Sequence, residues 1–128
     1  LAGEAAAYAR TWSVIAGACA SLNRRILPAT TSDFVDIDHR PLSIGSGDLK
    51  TYLGAVLRDG APNIIYFEAV HRLTDLGAVV THTASGTSRE GFYAEWRLTD
   101  IFTVEGDLLS RCEIFDDTDV AAALTRFD

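Results

Sequence analysis

The chain has 128 residues, of which 48% are hydrophobic and 23% are charged, which predicts a single globular domain spanning residues 1–128. Its formal net charge of −7 argues against a nucleic-acid backbone or an anionic membrane as partner, because both attract a basic patch. No apolar run approaches the roughly 20 residues of a membrane span, and nothing resembles a signal peptide, so we expect a cytoplasmic protein.

The N-terminal part of the chain predicts a long helix over residues 4–26. Apolar side chains recur there at alternating spacings of four and three, which is the period of one helix face. Pro28 either ends the helix, since proline has no N–H to donate, or starts the next turn. The residues of this apolar face are Tyr8, Trp12, Ile15, Cys19, Leu22 and Ile26.

A short strand and a second helix are predicted next. The strand covers Phe34–His39, and its alternation places Asp36 on the face opposite Val35. A glycine-rich loop then leads to a helix with Asp48 as a plausible N-cap. Tyr52 lies on the apolar face of this helix, so we expect it first of all in the core.

The rest of the chain predicts mostly strands. A short helix capped near Asp117 or Thr118 closes it. The order helix, strand, helix, four strands and helix predicts an α+β domain, with helices on one side of a curved antiparallel sheet. The four strands are Ile64–Thr74, Ala78–Thr87, Gly91–Val104 and Asp107–Phe115.

The last two strands meet at a turn over Glu105-Gly106, because glycine supplies the positive φ that a tight hairpin needs. If Val104 pairs with Asp107, then Asp100 lies opposite Arg111 on one aromatic face. Such a face predicts the wall of a ligand pocket or an interface. Its other members are Trp96, Leu98, Phe102, Leu109, Glu113 and Phe115.

Asp100 has two alternative roles on this face. Desolvation raises the pKa of an unpaired carboxyl, which suits a general acid or base. A carboxylate paired with Arg111 is instead a structural ion pair. Glu113 either shares that arginine, lines the pocket or lies at its rim.

The cysteines and histidines predict no metal site and no cofactor. Cys19 and Cys112 are expected as buried free thiols, since a chain of this size needs no disulfide. The three histidines are widely scattered, and there is no cysteine cluster. The chain has no methionine, so we expect Leu1 to begin a module excised from a longer polypeptide.

This order of elements, together with the sequences of three segments, resembles the SnoaL-like branch of the NTF2-like superfamily. The segments are Asp36–Gly45 (DIDHRPLSIG), Thr99–Leu108 (TDIFTVEGDL) and Arg111–Asp117 (RCEIFDD). The resemblance spans essentially the whole chain. It implies a cone-shaped curved sheet wrapped around the N-terminal helix, with a pocket at the open end that takes an apolar small molecule. The ligand-binding candidates are Trp12, Tyr52, Trp96, Phe102, Arg111, Glu113 and Phe115.

The ketosteroid-isomerase pattern of this superfamily implies candidate catalytic residues. Asp36, nine residues before Gly45, matches the proton-transferring carboxylate, and Asp100 matches an aspartic acid that donates to the substrate oxygen. The tyrosine of the oxyanion hole is missing, since Ala18 stands at the nearest position, so steroid isomerisation is not expected. His82 is a third candidate, as a base near pH 7, if its strand face is concave. The alternative for His82 is a satisfied or half-exposed histidine.

Two functions remain open on the sequence. One is a non-catalytic small-molecule-binding and dimerisation module appended to a larger bacterial regulatory protein. The other is a SnoaL-like isomerase, cyclase, dehydratase or epoxide hydrolase that uses Asp100 with Asp36 or His82 on a hydrophobic carbonyl or epoxide. A homodimer is expected through an outer sheet face too apolar to be fully solvated. That face carries Arg97, Thr99, Ile101, Ser110, Cys112 and Ile114.

Overall fold

A computed structural model of the chain describes residues 8–24, 26, 28–39, 64–87 and 93–128. The predicted second helix with Tyr52, and the side chains of Asp38 and Trp96, lie outside the described residues. The described elements are α1 (Ala9–Asn23), β1 (Thr30–Asp38), β2 (Ile64–Leu73), β3 (Gly77–Thr87), β4 (Tyr93–Glu105), β5 (Leu108–Asp116) and α2 (Val120–Phe127).

The strands form one curved, unclosed sheet in the order β1-β5-β4-β3-β2. β2, β3, β4 and β5 pair antiparallel with their neighbours in the sequence. β1 pairs with β5 in parallel instead, with Asp36 opposite Cys112. No hairpin joins these two strands, so no tight turn imposes the antiparallel direction on β1. The α+β prediction is confirmed, with this one parallel pairing as a departure from an all-antiparallel sheet.

The two described helices cover opposite faces of the sheet, which we call the α1 face and the α2 face. This differs from the expectation that helices pack on one side only. Side chains of successive strand residues alternate between the faces, as strand geometry requires. The buried core of the α1 face consists of Ile15, Ala78, Val80 and Leu109. The buried core of the α2 face consists of Val79, Ile101, Phe115 and Ala123.

The β4–β5 hairpin turns one residue later than the sequence predicted. Glu105 pairs with Leu108, so that Gly106 and Asp107 form the turn, and Gly106 has the positive φ of +63°. The pairing then skips Ser110, which is a β-bulge in β5. A shift of one residue moves every following side chain to the other face of the sheet.

The predicted register is therefore wrong along the whole hairpin, and beyond the bulge the predicted faces of β5 are wrong as well. Asp100 lies opposite Ile114 rather than opposite Arg111. Cys112 lies opposite Phe102 and, like Ile114, belongs to the α1 face rather than to the outer face. The residues moved to the α2 face are Arg111, Glu113 and Phe115.

Candidate functional site

The α1 face holds a buried histidine–aspartate pair. Nδ1 of His82 is hydrogen-bonded to Oδ2 of Asp100, and the two side chains are 12% and 2% exposed. The residues lie on β3 and β4, diagonally across the ladder, because His82 is opposite Leu98 and Asp100 is opposite Val80. The predicted pairing of Asp100 with Arg111 is thus replaced by a pairing with His82.

Asp100 controls the protonation of His82. Burial lowers the pKa of the His82 ring, but the hydrogen bond to Asp100 and the negative charge of that carboxylate raise it and prevail. The pKa of His82 therefore lies above its ordinary value. Since Nδ1 faces Asp100, Nε2 is the ring nitrogen left to exchange a proton with a ligand.

Aromatic rings lie on the same face as this pair. Phe67 is opposite His82 across the β2–β3 ladder. Its ring centroid is 5.3 Å from that of Trp12 and 6.2 Å from that of Phe102. The structure thus places Trp12 and Phe102, two predicted ligand-binding residues, on the side of the sheet that carries His82. Phe67 was not among the predicted site residues, and the signal that places it there is its register opposite His82 in the β2–β3 hairpin.

Asp36 and Cys112 extend the site toward β1. Cys112 is 6% exposed, and burial raises the pKa of its thiol well above the ordinary value. The negative charges of Asp100 and Asp36, and a hydrogen bond to Asp36, raise it further. The thiol therefore stays protonated. All three predicted catalytic residues, Asp36, His82 and Asp100, lie on the α1 face.

Glu113 belongs to a different cluster, on the α2 face. Its carboxylate is hydrogen-bonded to Nε2 of His39 at 2.8 Å and to Nε of Arg126. The His39 ring stacks on Phe115 at 4.5 Å between centroids. Burial raises the pKa of Glu113, but these two partners, with the charge of Arg111, prevail and lower it. The placement of Arg111, Glu113 and Phe115 beside Asp100 was therefore wrong, because the bulge at Ser110 reverses their faces.

His71 also lies on the α2 face. Its Nε2 is hydrogen-bonded to Oγ1 of Thr81 at 2.7 Å, and Thr81 is hydrogen-bonded to Thr99 at 3.2 Å. His71 and His82 lie on opposite faces, because the register shift between Phe67 and Ala69 reverses the alternation of β2 before His71. Only one of these two histidines is therefore near the candidate site.

The sequence predictions also concern the cysteines and the possible metal ligands. Cys19 and Cys112 are both free, as expected, although Cys19 is only half-buried. The described residues contain no group of three or more His, Cys, Asp or Glu side chains that could hold a metal ion. None of the described helices is long and apolar enough to cross a membrane.

The curved sheet with α1 packed against it is the NTF2-like fold in its SnoaL-like form, as the sequence predicted. Comparison of structures supports this assignment at TM-scores of 0.63 to 0.67 for the three proteins described next. No family model and no curated protein matches the sequence.

The Δ5-3-ketosteroid isomerase from a Mycobacterium species is 16% identical, with 87% of this chain and 95% of that one covered and a TM-score of 0.64. TerC, co-crystallised with polyporic acid, is 18% identical, with 91% and 98% covered and a TM-score of 0.67. A candidate SnoaL-like polyketide cyclase from Jannaschia sp. CCS1 is 16% identical, with 92% and 91% covered and a TM-score of 0.63. At these identities the likeness is one of fold.

Proposed function

We propose that this chain binds an apolar small molecule on the α1 face and moves a proton to or from it through His82. The main support is the His82–Asp100 hydrogen bond, which lies on the same face as Trp12, Phe67 and Phe102. A buried imidazole with a carboxylate behind it is a common arrangement for general acid/base catalysis near neutral pH. The proposal makes the chain a SnoaL-like acid/base enzyme.

The burial of the two side chains supports a division of roles. Asp100 is 2% exposed and fixes the ring through Nδ1, whereas His82 is 12% exposed and has Nε2 on the other side of its ring. Asp100 thus orients the imidazole and stabilises its protonated form. His82 takes a proton from carbon next to a carbonyl group, the imidazolium exchanges this proton with solvent, and a solvent-derived proton is then returned from the imidazolium to the enolate at the same or another carbon. Asp36 is a second candidate for proton transfer.

The proposed substrate is a hydrophobic, ring-containing carbonyl compound. Aromatic side chains offer flat apolar surface and exclude water, which strengthens the electrostatic effect of the pair on a bound ligand. Neighbours in fold are compatible with this class, since TerC was crystallised with polyporic acid and another neighbour is a ketosteroid isomerase. Those ligands and reactions belong to those proteins.

A binding module without turnover is the second candidate. The observation that favours it is Ala18, which packs against the core of the α1 face where the isomerase pattern has a hydrogen-bond-donating tyrosine. A bound enolate oxygen would lack that donor. Attachment to a regulatory protein, a cytoplasmic location and a homodimer stay predictions. For the homodimer, α2 already covers the part of the outer face around Ile101.

The test uses 2-tetralone, a bicyclic aromatic ketone with exchangeable hydrogens next to its carbonyl. Loss of these hydrogens in deuterium oxide is followed by NMR with the wild type, His82→Gln and the matched control His71→Gln. His71 is a histidine of the other face with a threonine partner, so its replacement leaves the candidate site intact. Saturation-transfer NMR measures binding of the same ketone in parallel.

Each outcome decides between the candidates. Exchange accelerated by the wild type and by His71→Gln, but lost in His82→Gln with binding retained, is the expected result. Binding without accelerated exchange in any of the three chains favours the non-catalytic module. Accelerated exchange that survives in His82→Gln contradicts the role of His82.

A further inference from the structure

Asn23, the last residue of α1, is hydrogen-bonded to the backbone of β2 at two atoms. Its Nδ2 donates to the carbonyl oxygen of Ile65 at 2.8 Å, and its Oδ1 accepts from the N–H of Ile65 at 2.7 Å. Sγ of Cys19, one turn earlier in α1, lies 3.3 Å from the same carbonyl oxygen. A residue on a neighbouring antiparallel strand makes the same pair of bonds, one given and one received.

β2 is the strand that needs such a partner. Within the described sheet it is an edge strand of ten residues, and one side of its backbone therefore has no neighbouring strand. Long edge strands with exposed apolar side chains are templates for pairing with another chain. The exposed apolar side chains of β2 are Ile64 at 58%, Tyr66 at 52% and Val70 at 43%.

Beyond Phe67, the regular pairing of β2 with β3 is interrupted by bulges. Register shifts lie between Phe67 and Ala69 and between Val70 and Arg72. Bulges of this kind twist an edge and make it a poor template for strand addition. Both bulges follow Phe67, so the segment before them, around Ile65, is the regular part of the edge. That segment is where the amide of Asn23 is bound.

We propose that Asn23 takes the place of a neighbouring strand and closes the edge of β2 against pairing with a second copy of this chain. The side-chain amide satisfies the outward N–H and C=O of Ile65 without offering a further edge of its own. The same two bonds hold the end of α1 on the sheet. This role is separate from the proposed chemistry at His82, because it concerns the edge of the sheet rather than the α1 face.

The test compares Asn23→Ala and Asn23→Asp with wild type, and uses Arg24→Ala as a control at the adjacent exposed residue. Hydrogen exchange of the Ile65 amide is measured by NMR, with the amides of Val79 and Ile101 reporting on the core. Sedimentation velocity at rising concentration, up to about 100 μM, measures association. Aspartate is isosteric with asparagine and still accepts from the Ile65 N–H, but it has no N–H to donate to the carbonyl.

We expect the Ile65 amide to exchange about tenfold faster in Asn23→Ala and to keep its protection in Asn23→Asp and Arg24→Ala. Asn23→Ala is also expected to gain a species of twice the wild-type mass as concentration rises. Unchanged exchange of Ile65 in Asn23→Ala, or faster exchange without the larger species, overturns the proposal. If the core amides of Asn23→Ala also lose protection, the substitution has destabilised the whole fold. The result for Asn23→Asp then decides for or against the proposal. Its Ile65 amide stays protected if the proposal holds and exchanges like a free edge amide if it does not.

Discussion

Replacing Asp100 by asparagine is expected to reverse the direction in which the protein shifts the pKa of His82. The pKa lies above its ordinary value only because the hydrogen bond and charge of Asp100 outweigh the effect of burial. Asparagine keeps the shape and an acceptor oxygen but removes the charge. Burial is then the larger influence, and the pKa of His82 is expected to fall below its ordinary value.

The same substitution is expected to lower the free energy of unfolding by about 1.5–3 kcal/mol near pH 6. This is the usual contribution to stability of a hydrogen bond to a charged group. The two side chains are only 12% and 2% exposed, so water does not compensate for the lost charge of Asp100. For a chain of 128 residues, each kcal/mol corresponds to about 4 °C in Tm, so the expected loss is roughly 6–12 °C.

The pH dependence has a fixed sign. A raised pKa in the folded chain adds stability that is fully present below the ordinary histidine pKa of about 6.5. That stability is lost as the pH rises through the higher folded-state pKa of His82. The difference between wild type and Asp100→Asn is therefore expected to be largest near pH 6 and smaller at pH 9.

Two measurements check this prediction. Urea denaturation of both chains from pH 6 to pH 9 gives the free-energy difference, and NMR titration of the imidazole gives the pKa of His82. The control is His71→Gln, which removes a histidine of the other face, hydrogen-bonded to Thr81, and leaves the His82–Asp100 pair in place. A difference that grows with pH, or a His82 pKa in Asp100→Asn no lower than in the wild type, refutes the reasoning.

Two further predictions concern the α2 face and the backbone. Glu113→Gln is expected to cost about 1.5–3 kcal/mol at pH 7 by urea denaturation, since it weakens the bond to Arg126. Because the folded-state pKa of Glu113 is lowered, the stability it adds is present above about pH 4.3 and lost as pH falls through the lower value, so the cost shrinks in acid. Gly77→Ala is expected to cost about 3 kcal/mol, because a Cβ there would lie 2.0 Å from the backbone oxygen of Phe102. Gly17→Ala, where nothing lies within 4 Å, is expected instead to gain about 0.5–1 kcal/mol in the same assay.

The elements of this fold were predictable because their patterns are local. The apolar spacing of α1 placed Trp12 and Ile15 on its buried face, and both pack against the core of the α1 face. Alternation in β1 placed Asp36 on the side away from Val35, and the register with β5 confirms it. A period of 3.6 or of two residues is visible in the sequence whatever the rest of the chain does.

The faces of β5 were not predictable in the same way. Gly106 identifies the hairpin, but glycine serves at either central position of a tight turn, and here it takes the first. The bulge at Ser110 leaves no signature in the sequence, and it reverses every side chain that follows. Asp100 and Phe102 precede the turn and were assigned to the correct face. Arg111 follows the bulge and was not, so its supposed pairing with Asp100 failed with the register.

Among the residues that the structure describes, two histidine–carboxylate pairs lie on opposite faces of the sheet, and their surroundings separate their roles. Glu113 is bound by Arg126 as well as by His39, so a permanent positive charge balances it whether or not the histidine holds a proton. Its cluster joins the end of β1 to α2 and is suited to holding the fold together. Among the described residues, Asp100 has His82 as its ion-pair partner, and the charge of that pair changes when one proton arrives or leaves. A pair whose charge depends on a single proton, on a face with aromatic rings, is the one suited to proton transfer.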